Sequence, residues 1–407
     1  MSMEKVTLGE LYTVHNGLSK GRKFFGSGYP FLSFSTVFNN YFIPNELVDL
    51  VQSDEKEQKI YSISRGDVFV TRTSETSDEL GMSCVALKDY PRATYNGFTK
   101  RMRPIATDRV HPEYIGYYMR MPSFRGEFQA FSTMTTRASL KNEDLLSLTI
   151  LLPPMEQQIK IAEVLQTYDK LIENNQKQIK LLEEAAQRLY KEWFVDLRFP
   201  GYEDVKVVDG VPDGWTYKRV EEFGEVITGK TPSTAKAEYY GGSIPFVTIP
   251  DMHGTVFPLV TEKTLTKVGA DTQKSKYLPA NTVIVSCIAT VGLVNIAIEL
   301  CQTNQQINSV ILHDDNNLYF FYESMKRIKA LLDGVGSNGA TMTNVNKTKF
   351  SNIKVLFPTE DLVMKYNEFC KPIFDKILAL SKAMLIYEQS RDRLLPKLMS
   401  GEIEVQA

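Results

Sequence analysis

The feature that most limits how this chain can fold is a long-range repeat. Ile161, Leu165, Tyr168, Ile172, Asn175, Ile179, Leu182, Ala186, Leu189 and Trp193 step by four and three residues in alternation, and all but Asn175 are apolar or aromatic. That spacing keeps one stripe of a helix facing a partner helix. Tyr366, Cys370, Ile373, Ile377, Leu380, Met384, Tyr387, Arg391, Leu394 and Leu398 follow the same alternation, each 205 residues beyond its counterpart, with no gap. Two long helices with matching seams are therefore expected. Pro153 and Pro154 mark the start of the first, since proline suits the first turn of a helix. Pro372 predicts a late start or a kink in the second, and Pro396 followed by Gly401 limits its end.

The repeat continues upstream. "LLSLTILLPP" from Leu145 parallels "FSNIKVLFPT" from Phe350, again 205 residues on. "VTLGELYTVHNG" from Val6 resembles "KRVEEFGEVITG" from Lys218, and "RGDVFVT" from Arg65 resembles "ANTVIVS" from Ala280. The offset drifts to 212 and 215 there, as loops of unequal length require. The order is globular half, helix, globular half, helix. Expected boundaries are 1–152, 153–199, 200–357 and 358–407, with a Pro- and Gly-punctuated linker over 195–215.

Each half alternates β-rich runs with loops, so the fold class is α+β: two similar units, each a twisted sheet with helices, joined by two long helices. Strands are expected in "YPFLSFSTV", "GDVFVTRT", "MSCVALK" and "TILLPP", then in "SIPFVTIP", "NTVIVSCI", "GLVNIAIEL" and "NSVILHD". A helix is expected over 111–131, broken near Pro122, and another in "LYFFYESMKRIKALLDG".

Composition and motifs exclude several functions. The chain has 407 residues, 4 cysteines with no CxxC pair and 4 histidines with no ligand spacing, which predicts no metal, no cofactor and a reducing, cytoplasmic setting. No apolar run reaches membrane-spanning length, and the N-terminus lacks a signal-peptide core. There is no GxSxG, no HExxH, and no Asn or Asp before a Pro-Pro pair, so no active site is expected. Asp54 and Glu55 sit in a solvated charge run. "GEVITGKT" (Gly224 to Thr231) matches the phosphate-loop pattern, but Pro232 follows and no helical run opens there. "GVGSNG" (Gly334 to Gly339) follows a helix rather than a strand, against a dinucleotide site. A nucleotide-binding protein using Gly224–Thr231 and a coiled-coil scaffold without a nucleic-acid role remain the alternatives.

A net charge of −2 gives no global nucleic-acid signal, so that case rests on local placement. Three loops per half are rich in groups that bond bases or phosphates. In the first half they are 18–28, 71–81 and 133–144, with "YNGFTKRMR" (95–103) beside them; in the second, 228–236, 286–292 and 337–349, with "TNQQINS" (303–309). Arg reads guanine, Asn or Gln reads adenine, and Lys, Ser and Thr hold phosphate. Candidate base readers are Arg72, Thr73, Asn96 and Arg137, then Asn304, Gln305 and Asn344. Candidate phosphate contacts are Lys20, Arg22, Lys23, Lys100, Lys141, Lys230, Lys347 and Lys349. Tyr190, Trp193 and Phe194 are candidates either for partner docking or for packing at the helix end.

With "LPPMEQQIKIAEVL" after the first half and "RDRLLPKLMSGEIEV" at the end, the chain resembles the specificity subunit of type I restriction–modification enzymes along essentially its whole length. "FQAFSTMTTRASL" departs from the family by lacking the glycine-rich turn of the second half. The resemblance implies two target-recognition domains, each reading one half of a split site in double-stranded DNA. It implies helices that pair antiparallel as a spacer, so that the readers face successive major grooves, roughly 34–36 Å per turn. It further implies two methyltransferase subunits and restriction subunits as partners, with no catalysis in this chain and no membrane role.

Overall fold

A computed structural model describes residues 3–74, 80–130, 138–328 and 344–405, excluding the side chains of 73, 74, 129, 130, 138 and 139. The chain divides into two compact units: Met1–Leu171 with Tyr387–Ala407, and Ile172–Ile386.

In the first unit, a four-stranded antiparallel sheet has the order Tyr12–Asn16, Thr99–Pro104, Val68–Thr71, Ser83–Val85. A second sheet sets Phe25–Leu32 between Leu50–Val51, antiparallel, and Thr94–Tyr95, parallel. Glu4–Thr7 pairs with Thr149–Leu152, which returns the chain to its start before the first long helix.

The second unit repeats this topology. Its four-stranded sheet runs Gly224–Thr228, Ile307–Leu312, Val283–Ser286, Val294–Ile296. Tyr240–Val247 lies between Lys263–Leu265, antiparallel, and Gln302–Thr303, parallel. Thr216–Arg219 pairs with Lys354–Phe357. Even the register break recurs, between Phe25 and Tyr29 in one unit and Tyr240 and Ile244 in the other.

The expected helix over 111–131 is two helices, Pro112–Tyr118 and Pro122–Ala130, because Pro122 opens a new first turn. "YNGFTKRMR" is not a loop: Thr99–Pro104 is a central strand. Its charges are absorbed locally. Arg103 forks onto Asp67, with Nε donating to Oδ1 at 2.7 Å and Nη2 to Oδ2 at 2.6 Å, and Arg101 Nη1 donates to the Ser62 carbonyl at 2.6 Å.

The long helices are Met155–Phe194 and Glu360–Ser400, each about 60 Å at 1.5 Å per residue. In the first unit Ile161, Ala162 and Leu165 share a core with Leu395, Leu398 and Met399, and Tyr168 and Tyr387 rings lie 6.5 Å apart. In the second unit Ala186, Tyr190, Trp193 and Phe194 share a core with Leu362, Tyr366, Phe374 and Ile377. The start of one helix therefore meets the end of the other, an antiparallel pairing. Along the seam Ile172, Asn175, Ile377 and Leu380 are buried, while Ile179, Leu182, Leu189, Ile373, Met384 and Leu394 are half-buried. Glu156–Lys160 and Glu173–Lys177 ion pairs occupy the solvated flanks.

Neither proline breaks the second helix, which begins at Glu360 rather than starting late at Pro372. Pro372 and Glu368, whose carbonyl loses its helix partner, are both exposed, which leaves that carbonyl open to solvent rather than sealed in the core. Gly401, at φ +76°, ends the helix with its N–H donating to the Leu398 carbonyl at 3.3 Å.

Candidate nucleic-acid interface

The described parts of the polar loops in each unit meet at one end of its four-stranded sheet, and main-chain hydrogen bonds tie them together. In the first unit Gly17 N–H donates to the Thr99 carbonyl (3.2 Å), Leu18 to Tyr95 (2.9 Å) and Asn96 to Leu32 (3.0 Å). Thr99 donates to Asn96 (3.0 Å), Arg72 to Phe98 (3.0 Å) and Leu140 to Arg72 (3.0 Å). Segments near 18, 72, 97 and 140 thus converge on one corner.

The second unit makes the same bonds. Gly229 donates to Ile307 (3.1 Å), Lys230 to Thr303 (2.9 Å) and Asn304 to Val247 (3.3 Å). Ile307 donates to Asn304 (3.3 Å), Cys287 to Gln306 (2.9 Å) and Val345 to Cys287 (2.8 Å). Bond for bond, Arg72 corresponds to Cys287, Asn96 to Asn304, Phe98 to Gln306, and Leu140 to Val345.

Gly17 and Gly229 are required by this geometry. A Cβ at Gly17 would stand 2.0 Å from the Asn96 carbonyl oxygen, and one at Gly229 would stand 2.2 Å from that of Asn304. Here the glycines permit backbone contact rather than phosphate binding. Gly224–Thr228 is a sheet strand, and no helix opens after Thr231, so the phosphate-loop reading is overturned.

The candidate base readers are placed unequally. Asn96 Oδ1 accepts from Phe98 N–H at 2.7 Å, and Asn304 Oδ1 accepts from Gln306 N–H at 3.0 Å, so both side chains brace their own turns. Gln305 is exposed and accepts from Thr231 Oγ1 at 2.6 Å; Asn344 is exposed. Arg72 is half-buried, and its Nε is buried without a hydrogen-bond partner among the described residues. The Thr73 side chain, Arg137 and Gly334–Gly339 lie outside the described residues.

Among the cations, Arg22, Lys23, Lys141, Lys230, Lys347 and Lys349 are exposed. Lys20 is not: its Nζ meets Glu57 Oε2 at 2.6 Å and the Gln52 carbonyl at 2.6 Å. Lys100 is 4% exposed and donates to Asn142 Oδ1. Burial pushes its amine below the usual lysine range, the Arg72 charge pushes the same way, and Asp144 opposes. At the matched positions of the second unit, Asn308 donates to the Val345 carbonyl at 3.2 Å, and burial pushes the Cys287 thiol up to about 11.

Tyr190, Trp193 and Phe194 are buried in the second unit's core, so they pack the helix end rather than face a partner. Among the described residues no group of three or more His, Cys, Asp or Glu side chains could hold a metal, and no helix is long and apolar enough to cross a membrane.

The type I restriction modification DNA specificity domain model matches residues 2–184 and again 212–361. The type I restriction enzyme HindI specificity subunit of Haemophilus influenzae is 31% identical, over 94% of this chain and 96% of that protein. The MjaIX specificity subunit of Methanocaldococcus jannaschii is 24% identical, over 98% and 92%. Among solved structures, the type I S subunit of M. genitalium aligns over 98% of this chain and 96% of that one, with a TM-score of 0.58 at 13% identity, a likeness of fold. Duplicated sheet units with loop-built corners, two antiparallel helices and these matches lead to one conclusion: the chain belongs to the DNA specificity subunits of type I restriction–modification systems.

Proposed function

We propose that each unit reads one half of a split, asymmetric site in double-stranded DNA, and that the paired helices set the length of the unread run between the halves. In this reading the recognition domains span 1–152 and 200–357, and the spacer helices span 153–199 and 358–407. The chain performs no catalysis. It assembles in the cytoplasm with two methyltransferase subunits and with restriction subunits that carry the chemistry. The observation that carries the reading is the matched pair of corners: one main-chain frame holds different side chains, as two different half-site words require. Exposed Arg22, Lys23 and Lys141 on the first unit, and Lys230, Lys347 and Lys349 on the second, suit phosphate contacts beside those corners.

The test is selection from randomised duplexes by the full chain assembled with its methyltransferase partner. Two short specified blocks separated by a fixed unspecified run are expected, with affinity falling steeply as salt rises. Removing one heptad from Ile172 onward, together with the matching heptad of the second helix, should shorten the run. An unchanged run would refute the spacer role, and a single contiguous word would refute the split site.

A further inference from the structure

The two corners share a frame but not a charge. In the first, the strand residue Lys100 lies beside Arg72, and both are cations. In the second, the matched pair is Cys287 and Asn308, neither of them a cation; Asn308 donates to the Val345 carbonyl and accepts from Thr228. The difference lies at the floor of the corner. Arg72 is fixed there by both of its main-chain bonds, to Phe98 and to Leu140. Lys100 is tucked beneath, with its amine on Asn142.

Two like charges in a poorly hydrated place repel each other, and a buried guanidinium N–H without an acceptor is costly. Among the described residues Arg72 Nε is in that condition, while the side chain as a whole is half-buried. An acceptor arriving from outside the chain meets the open part of the guanidinium and offsets the repulsion between the two charges. Guanine offers two acceptors, O6 and N7, on its major-groove edge, spaced for an arginine fork; adenine offers N7 but opposes a cation with its N6 amine. Phosphate is also an acceptor, but exposed Arg22, Lys23 and Lys141 already stand nearer solvent for that purpose. Phe98, 54% exposed at the turn that holds Arg72, adds an apolar surface of the kind that meets a thymine methyl. In the second unit, exposed Gln305 and Asn344 are neutral amides, suited to adenine.

Resting on the split-site reading above, we infer that the first unit's corner is a guanine reader, with Arg72 as the base-contacting residue and Lys100 as a positioning residue beneath it, while the matched corner of the second unit reads its half-site without a cation. The specificity of this chain is then asymmetric in chemistry as well as in sequence.

The experiment uses the full chain assembled with its methyltransferase partner and a pool of randomised duplexes. Wild type should select a guanine at a fixed position of one half-site. Arg72→Ala should lose that preference by about tenfold or more, the scale of one bidentate base contact, and retain the other half-site word, which also reports an intact fold. Arg72→Lys keeps the charge but not the fork and should lose the same preference while binding is retained. Lys100→Asn, which installs the residue found at the matched position, should weaken selection at that guanine alone. The inference is overturned if neither half-site word contains guanine. It is overturned equally if the guanine persists in Arg72→Ala and Arg72→Lys while affinity falls for all sequences, because Arg72 would then hold phosphate only. Should wild type select no word at all, the split-site reading itself fails first.

Discussion

Glu323 offers a direct test of the second unit's energetics. It lies 3% exposed on the helix Leu318–Lys326 and lines a cavity of about 370 Å³ beside the first long helix. Its Oε1 has no hydrogen-bond partner among the described residues, and Lys326 Nζ stands 3.6 Å away, beyond hydrogen-bond reach. Burial pushes the carboxyl up to about 7 from an ordinary 4.5; Lys326 opposes this, and Glu183 adds to it. A carboxyl raised in the folded state contributes stability that is fully present below the unfolded pKa and lost as pH rises through the folded one. At about 1.4 kcal/mol per pH unit, ionised Glu323 costs the fold about 3 kcal/mol above pH 7. Glu323→Gln stays neutral throughout. The stability difference between variant and wild type should therefore open by about 2–3 kcal/mol from pH 5 to pH 8, with the variant the more stable at pH 8. Urea unfolding followed by tryptophan fluorescence measures this, because both tryptophans, Trp193 and Trp215, sit in the second unit's core. A difference independent of pH, or a variant less stable at pH 8, would refute the reasoning.

Gly229→Ala should destabilise the second unit by about 1–3 kcal/mol in the same fluorescence assay without any nucleotide present, because the added methyl meets the Asn304 carbonyl. An unaltered unfolding midpoint would show that the corner tolerates the side chain. In the first unit, Asp169 Oδ1 accepts from Arg391 Nη1 at 2.6 Å, Asp169 Oδ2 accepts from Tyr117 Oη at 2.5 Å, and Arg391 sits over the Tyr41 ring at 5.4 Å. A double-mutant cycle with Asp169→Asn and Arg391→Ala should give a coupling of about 1–3 kcal/mol, since the pair is partly rather than fully shielded from water. Additive effects would mean that this contact does not brace the helix pair.

The long helices could be read from the sequence because a 4-3 alternation of apolar residues leaves a helix no other way to hide its stripe. The duplication could be read as well, since equal spacing survived along the whole seam. Thr99–Pro104 could not: "TKRMRP" looks solvated until Arg101 and Arg103 find Ser62 and Asp67, partners far back in the chain. The 215-residue offset of "RGDVFVT" and "ANTVIVS" already sets Arg72 against Cys287, but those side chains share no chemistry, and it is the backbone hydrogen bonds that place both at the same corner. Asn96 and Asn304 are base-reader candidates by residue type alone, and each side-chain carbonyl also braces its own turn.

The twin frames have a consequence for how such a chain can change. Because peptide groups alone carry the six ties in each, the lettering of a socket can be rewritten while its architecture stays put. One molecule already displays two spellings on a common scaffold, Arg72 with Lys100 and Cys287 with Asn308. A new DNA preference then demands a few substitutions in one socket and no new fold, and each socket can drift independently of its twin.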